Sequence, residues 1–76
     1  MELVCEGSGE DYMKVELVGE VDRAKQIADF LNEGYGKFLS DTGYHSGVNY
    51  TITWVMPDDQ LHAFKTAYEI CKKYWG

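Results

Sequence analysis

The sequence predicts a single small α+β domain spanning residues 1–76, of order ββαβα. Two helices cover one face of a three-stranded, mixed sheet. Three observations carry this reading. Apolar and polar residues alternate over residues 12–18 and 48–56, which is the period of a half-buried strand. Apolar residues recur at helical spacing in two further segments, one from Val21 and one after Pro57. The chain has 76 residues, 45% hydrophobic and 26% charged, which is one domain with a thin core and too apolar for disorder.

Residues 2–6 read as a short strand, with Leu3 and Cys5 on one face and Glu2, Val4 and Glu6 on the other. Residues 7–11 form a turn in which Gly7 and Gly9 can take positive φ. Residues 12–18 return as a second strand, Met13, Val15 and Leu17 facing in and Lys14 and Glu16 facing out. Gly19 ends it. Ala24, Ile27, Ala28 and Leu31 then mark a helix whose first turn holds Glu20 and Asp22, where the helix dipole favours negative charge. Gly34 could end the helix as its C′ residue, but the stripe stays in phase through Tyr35 and Phe38, so the helix is expected to reach about Ser40. Gly34 and Gly36 weaken its middle by about 2 kcal/mol relative to alanine.

Residues 41–47 read as a loop by composition. Residues 48–56 give the clearest strand, with Val48, Tyr50, Ile52, Trp54 and Met56 on one face. Pro57 stops it, and Asp58 or Asp59 caps a last helix running to about Trp75. Two stripes give that helix a broad apolar face: Leu61, Phe64, Tyr68, Cys71 and Trp75, and beside it Ala63, Ala67, Ile70 and Tyr74. The second strand, the long helix and the third strand form a βαβ unit, expected to pair parallel through a right-handed crossover. No internal repeat is evident in the residues.

The charge is unevenly placed. Seven of the 13 acids lie in the first 22 residues against one base, Lys14, and the rest of the chain is balanced. An acidic surface of this kind repels nucleic acid and anionic membranes and attracts basic protein surfaces. No apolar run approaches the ~20 residues that cross a bilayer. No basic stretch followed by an apolar one opens the chain, so the expected compartment is the cytoplasm. Cys5 and Cys71 both occupy apolar positions and are expected as buried free thiols.

No motif identifies a chemistry. Asp41-Thr42-Gly43 matches the aspartic protease tripeptide over three residues only, without an apolar strand before it or a second aspartate motif. Gly7-Ser8-Gly9 and Gly34-Tyr35-Gly36 do not extend to a phosphate-binding loop. Cys5, His45, His62 and Cys71 lack the short paired spacing of a zinc site. Neither metal nor cofactor nor catalytic residue is therefore expected, and the chain reads as a non-enzyme.

What remains is the acidic hairpin and an aromatic load of six Tyr, two Trp and three Phe, more than a thin core buries. Tyr and Trp dominate binding hot spots. The candidate partner-binding residues are therefore Glu6, Glu10, Asp11, Tyr12, Glu16, Tyr35, Tyr44 and His45. In size and charge, though in no residue motif, the chain is similar to small phage or mobile-element inhibitors, among them anti-CRISPR and anti-restriction proteins. That resemblance implies a protein whose carboxylates imitate phosphates against the nucleic-acid-binding surface of a defence protein. Two alternatives stand beside it. One is a self-associating module, a homodimer through the last helix. The other is a small-ligand binder built on the 41–46 segment, with Asp41, Tyr44, His45 and Ser46.

Overall fold

A computed structural model describes residues 1–46 and 49–75, with the side chains of 42–46 and 75 left aside. The element order is ββαββα, with one strand more than the sequence predicts. The strands are β1 (Glu2–Gly7), β2 (Tyr12–Glu20), β3 (Leu39–Ser46) and β4 (Asn49–Pro57); the helices are α1 (Val21–Tyr35) and α2 (Leu61–Trp75). Short 3₁₀ turns at Gly36–Phe38 and Asp58–Gln60 lead into β3 and α2. The sheet order is β1-β2-β4-β3, and every pairing is antiparallel, so the sheet is not mixed.

The expected parallel pairing of the second strand with residues 48–56 is not found, since β4 lies antiparallel to β2. β2, α1 and β3 make the βαβ unit, and β3 runs parallel to β2 at the far edge of the sheet. β4 then returns through a hairpin and fills the gap between them, antiparallel to both. The sequence reading missed β3 for two reasons. First, α1 stops at Tyr35 rather than near Ser40. The Gly36 N–H closes the last helical bond onto the Asn32 carbonyl, and Leu39 is already extended. The helix thus ends at Tyr35 with Gly34 still inside it and Gly36 in a right-handed conformation, and Phe38 keeps its inward phase from the 3₁₀ turn. Second, the β3–β4 register shifts twice, between Leu39 and Asp41 and between Asp41 and Tyr44. Bulges break the two-residue period that identifies a strand.

Both helices lie on one face of the sheet. From the strands Val15, Leu17, Tyr50, Ile52, Trp54 and Met56 point into this layer. Ala24, Ile27, Ala28 and Leu31 meet them from α1, and Phe64, Tyr68 and Cys71 from α2. Trp54, fully enclosed, packs on Phe64 with the rings tilted by 60° and their centroids 5.0 Å apart, and Phe64 meets Tyr35 edge-on at 5.1 Å. The Trp54 indole N–H donates to Asn32 Oδ1 at 2.7 Å and so ties β4 to α1. Removing that acceptor strands an indole N–H away from water. Asn32→Ala should cost about 1–2 kcal/mol in urea unfolding, with tryptophan emission as the readout.

The two ββα halves are related by a pseudo-twofold that passes between Glu16 and Thr53, which face each other across β2 and β4. Inward positions correspond one for one: Val15 with Ile52 and Leu17 with Trp54 on the strands, Ala24 with Phe64, Ile27 with Ala67, Ala28 with Tyr68, and Leu31 with Cys71 on the helices. The repeat is invisible in the sequence because each helical pair combines a large residue with a small one. Symmetric elements packed against each other need that complement, since two large side chains at both positions would overfill a close-packed core.

Candidate functional site

Among the described residues no element covers the face of the sheet away from the helices. Its cross-strand rows follow from the register. One row is Val4, Glu16, Thr53 and Asp41; a second begins Glu2, Val18, Thr51; a third runs Glu6, Lys14, Val55. Together the strands and the β1–β2 turn hold Glu2, Glu6, Glu10, Asp11, Glu16, Glu20 and Asp41 against Lys14 alone. This is the whole formal charge of −6, because the helical elements carry six acids and six bases. The sequence reading placed the charge on the first 22 residues. In the fold Asp22 leaves that set for α1, and Asp41 joins it from β3.

Lys14 stands between two of the carboxylates. Its Nζ lies 3.2 Å from Glu16 Oε1 on its own strand and 3.5 Å from Glu6 Oε1 on β1. Glu16, then Glu6, raise the ammonium's pKa above its ordinary value. Arg23 of α1 lies 4.0 Å from Glu20; such exposed pairs add little stability, and the face stays net negative. The adjoining turn is fixed rather than loose. Gly9 at φ 97° and Asp11 at φ 68° take the left-handed conformations that the tight reversal requires. The Ser8 N–H donates to the Tyr12 carbonyl at 3.0 Å, and the Asp58 N–H donates to the Asp11 carbonyl at 2.9 Å. The second bond draws Asp58 and Asp59 to the same corner as Glu10 and Asp11. Tyr12, half exposed, flanks this corner on the open face.

Of the predicted partner-binding residues, Glu6, Tyr12 and Glu16 thus share the open face, and Glu10 and Asp11 lie in the exposed turn at its corner. Tyr35 does neither. It is half-buried in the helix layer, edge-on to Phe64, and serves the core. Tyr44 and His45 lie in β3, their backbones opposite Thr51 and Tyr50, and their side chains fall outside the described residues. The segment read as a ligand-binding loop is therefore a paired edge strand. The sequence reading missed Asp41, since its place on the face follows only from β3.

The helix layer differs in character. Lys25, Lys37 and Lys72 lie over the rings of Tyr50, Phe38 and Tyr68 at 5.5, 5.2 and 6.0 Å. There the bases shield aromatic edges of the core. On α2 Leu61, Phe64, Tyr68 and Cys71 of the first apolar stripe go inward, the Trp75 side chain lies outside the described residues, and Ile70 and Tyr74 of the second stripe stay exposed. Cys5 and Cys71 are free, Cys5 partly buried and Cys71 buried, and burial pushes the Cys71 thiol up.

A cleft of about 370 Å³ runs between the start of β1 and α2, bounded by Glu2, Leu3, Lys65, Tyr68, Glu69 and Lys72 among others. The Tyr68 hydroxyl beneath it is enclosed and makes no hydrogen bond. Burial first, then the charges of Glu69 and Glu2, raise its pKa above the usual 10.0. Tyr68→Phe should therefore stabilise the fold, by about 1 kcal/mol, as an unsatisfied buried polar atom is removed. The raised pKa gives a second signature. The wild type's contribution from Tyr68 is present below pH 10 and lost as pH rises through the folded value, because the unfolded chain then binds fewer protons. Urea titrations at pH 8 and pH 11 should show a smaller alkaline loss in the variant.

Among the described residues no three His, Cys, Asp or Glu side chains are grouped to hold a metal ion, and no helix is long and apolar enough to cross a membrane. No known protein family, no curated protein and no solved structure matches the chain.

Proposed function

We propose that the protein is a non-enzymatic binding domain whose open sheet face docks on a basic protein surface, the carboxylates standing where nucleic-acid phosphates would. One observation carries this reading. The two halves of the fold share a frame, so each half is a control for the other. Their inward positions on β2, β4 and the two helices correspond, as packing demands. Their outward positions do not: Lys14 and Glu16 on β2 correspond to Thr51 and Thr53 on β4, and Tyr12 to Asn49. Since a threonine serves at the matched position, the fold does not require the charge. A concentration of like charge is also mildly destabilising, so its retention fits a role in binding.

The more specific form of the proposal is an inhibitor of phage or mobile-element type that occupies the nucleic-acid-binding surface of a defence protein. Small size, excess acid on one face and an exposed tyrosine at its corner support it. The test is affinity capture with two charge-matched variants. In one, Glu6, Glu10, Asp11 and Glu16 become amides. In the other, Asp22, Asp29, Glu33 and Glu69 of the two helices do. A partner with a basic surface retained by the second and lost by the first supports the proposal. Equal retention by both removes the hairpin from the site.

A further inference from the structure

We infer that the occupant of the open face is a cationic amphipathic helix, lying along β4 with its apolar ridge on an uncharged stripe and its basic flanks on the carboxylates beside it. This rests on the proposal that the face binds a basic partner, and it adds the partner's form. The outward residues of β4 are Asn49, Thr51, Thr53, Val55 and Pro57, all without charge and four of them half-buried. Val18 on β2 extends the stripe beside Thr51. Carboxylates border it on both sides: Glu16 and Glu20 on β2, Glu2 and Glu6 beyond them on β1, and Asp41 on β3.

The dimensions fit a helix. Nine strand residues span about 30 Å, the length of a helix of about 20 residues. Neighbouring strands lie about 4.8 Å apart, and a helix with its side chains is about 10–12 Å across. A helix over β4 therefore sets its flanks above β2 and β3, with lysine and arginine long enough to reach β1. A flat basic surface would meet the carboxylates but gain nothing from the stripe. A second copy of the chain would oppose the same face with like charge, which is unfavourable. The occupant would supply the layer that covers the sheet's second face.

Three synthetic peptides test this by fluorescence or NMR titration. The first is an amphipathic 20-residue helix with a leucine–alanine ridge and lysine–arginine flanks. The second is a scrambled sequence of the same composition, and the third is oligolysine of equal charge. The amphipathic peptide should bind about tenfold tighter than the other two. Thr53→Lys should cancel that preference, and Thr51→Lys should repeat the effect if the first variant folds poorly by circular dichroism. Equal binding of all three peptides, lost in the hairpin amide variant, overturns the helix and leaves the basic-partner proposal standing. Binding of none of them overturns the helix and counts against that proposal as well.

Discussion

Amide substitution of Glu6, Glu10, Asp11 and Glu16 should weaken binding to the basic partner by about two orders of magnitude. The same number of amides in the helix layer should change it less than threefold. Each interfacial ion pair contributes about 0.5–1 kcal/mol when exposed and more when desolvated. Four together give roughly 3 kcal/mol, or about a hundredfold in Kd. The matched variant separates the position of the charge from its amount. Both carry the same net charge, so a difference between them reports a surface. Salt provides the second axis. Screening lengths fall from about 8 Å at 0.15 M to about 3 Å at 1 M, so wild-type affinity should drop steeply between 0.15 and 0.5 M salt and the amide variant's should not. Lys14→Gln works in the opposite sense. It frees Glu6 and Glu16 from the ammonium between them and should tighten binding several-fold. Calorimetric titration at three salt concentrations measures all of this. Equal losses in the two amide variants, or an affinity that holds at 0.5 M salt, would remove electrostatic docking as the mechanism.

The face on which this depends was legible only in part. The first hairpin alternates cleanly, so Glu6 and Glu16 could be placed outward together from the residues alone. β4 was equally plain, within a residue at its ends. β3 was not, because Asp41, Tyr44 and His45 sit in a bulged edge strand with no apolar period. With β3 missing, the sheet lost its edge, and the strand after α1 took the parallel place that β3 occupies. Asp41 was lost from the acidic face for the same reason. Tyr35 was misread in the other direction. A residue in phase with a helical stripe, next to two glycines, can as easily close a core as leave it, and the deciding contact with Phe64 lies 29 positions away in sequence. Patterns of short range show which face a residue takes on its own element. They do not show which faces of different elements meet.

Trp54→Ala should leave the domain largely unfolded at 37 °C. Trp54 is fully enclosed, packs at a tilt against Phe64, and its indole N–H is held by Asn32. Truncating a buried tryptophan to alanine costs about 3–5 kcal/mol, and a domain of this size has a total stability of roughly 4–11 kcal/mol at 0.05–0.15 kcal/mol per residue. The position also has little capacity to relax. Ile27 and Leu31 of α1 and Phe64 and Tyr68 of α2 already fill the core, each paired with a smaller residue across the pseudo-twofold, so none is spare to close a cavity at Trp54. Trp54→Phe keeps much of the volume and gives up only the bond to Asn32, so it should cost less than half as much. Urea unfolding followed by circular dichroism compares the two, and a loss below 1 kcal/mol for Trp54→Ala would contradict this packing. The acidic residues take no part in that core. Their amide variants should unfold at or above the wild-type midpoint, since relief of like-charge repulsion offsets the lost pairs with Lys14. The core sets whether the domain folds, and the opposite face of the same strands is left free to carry a charge that folding does not need.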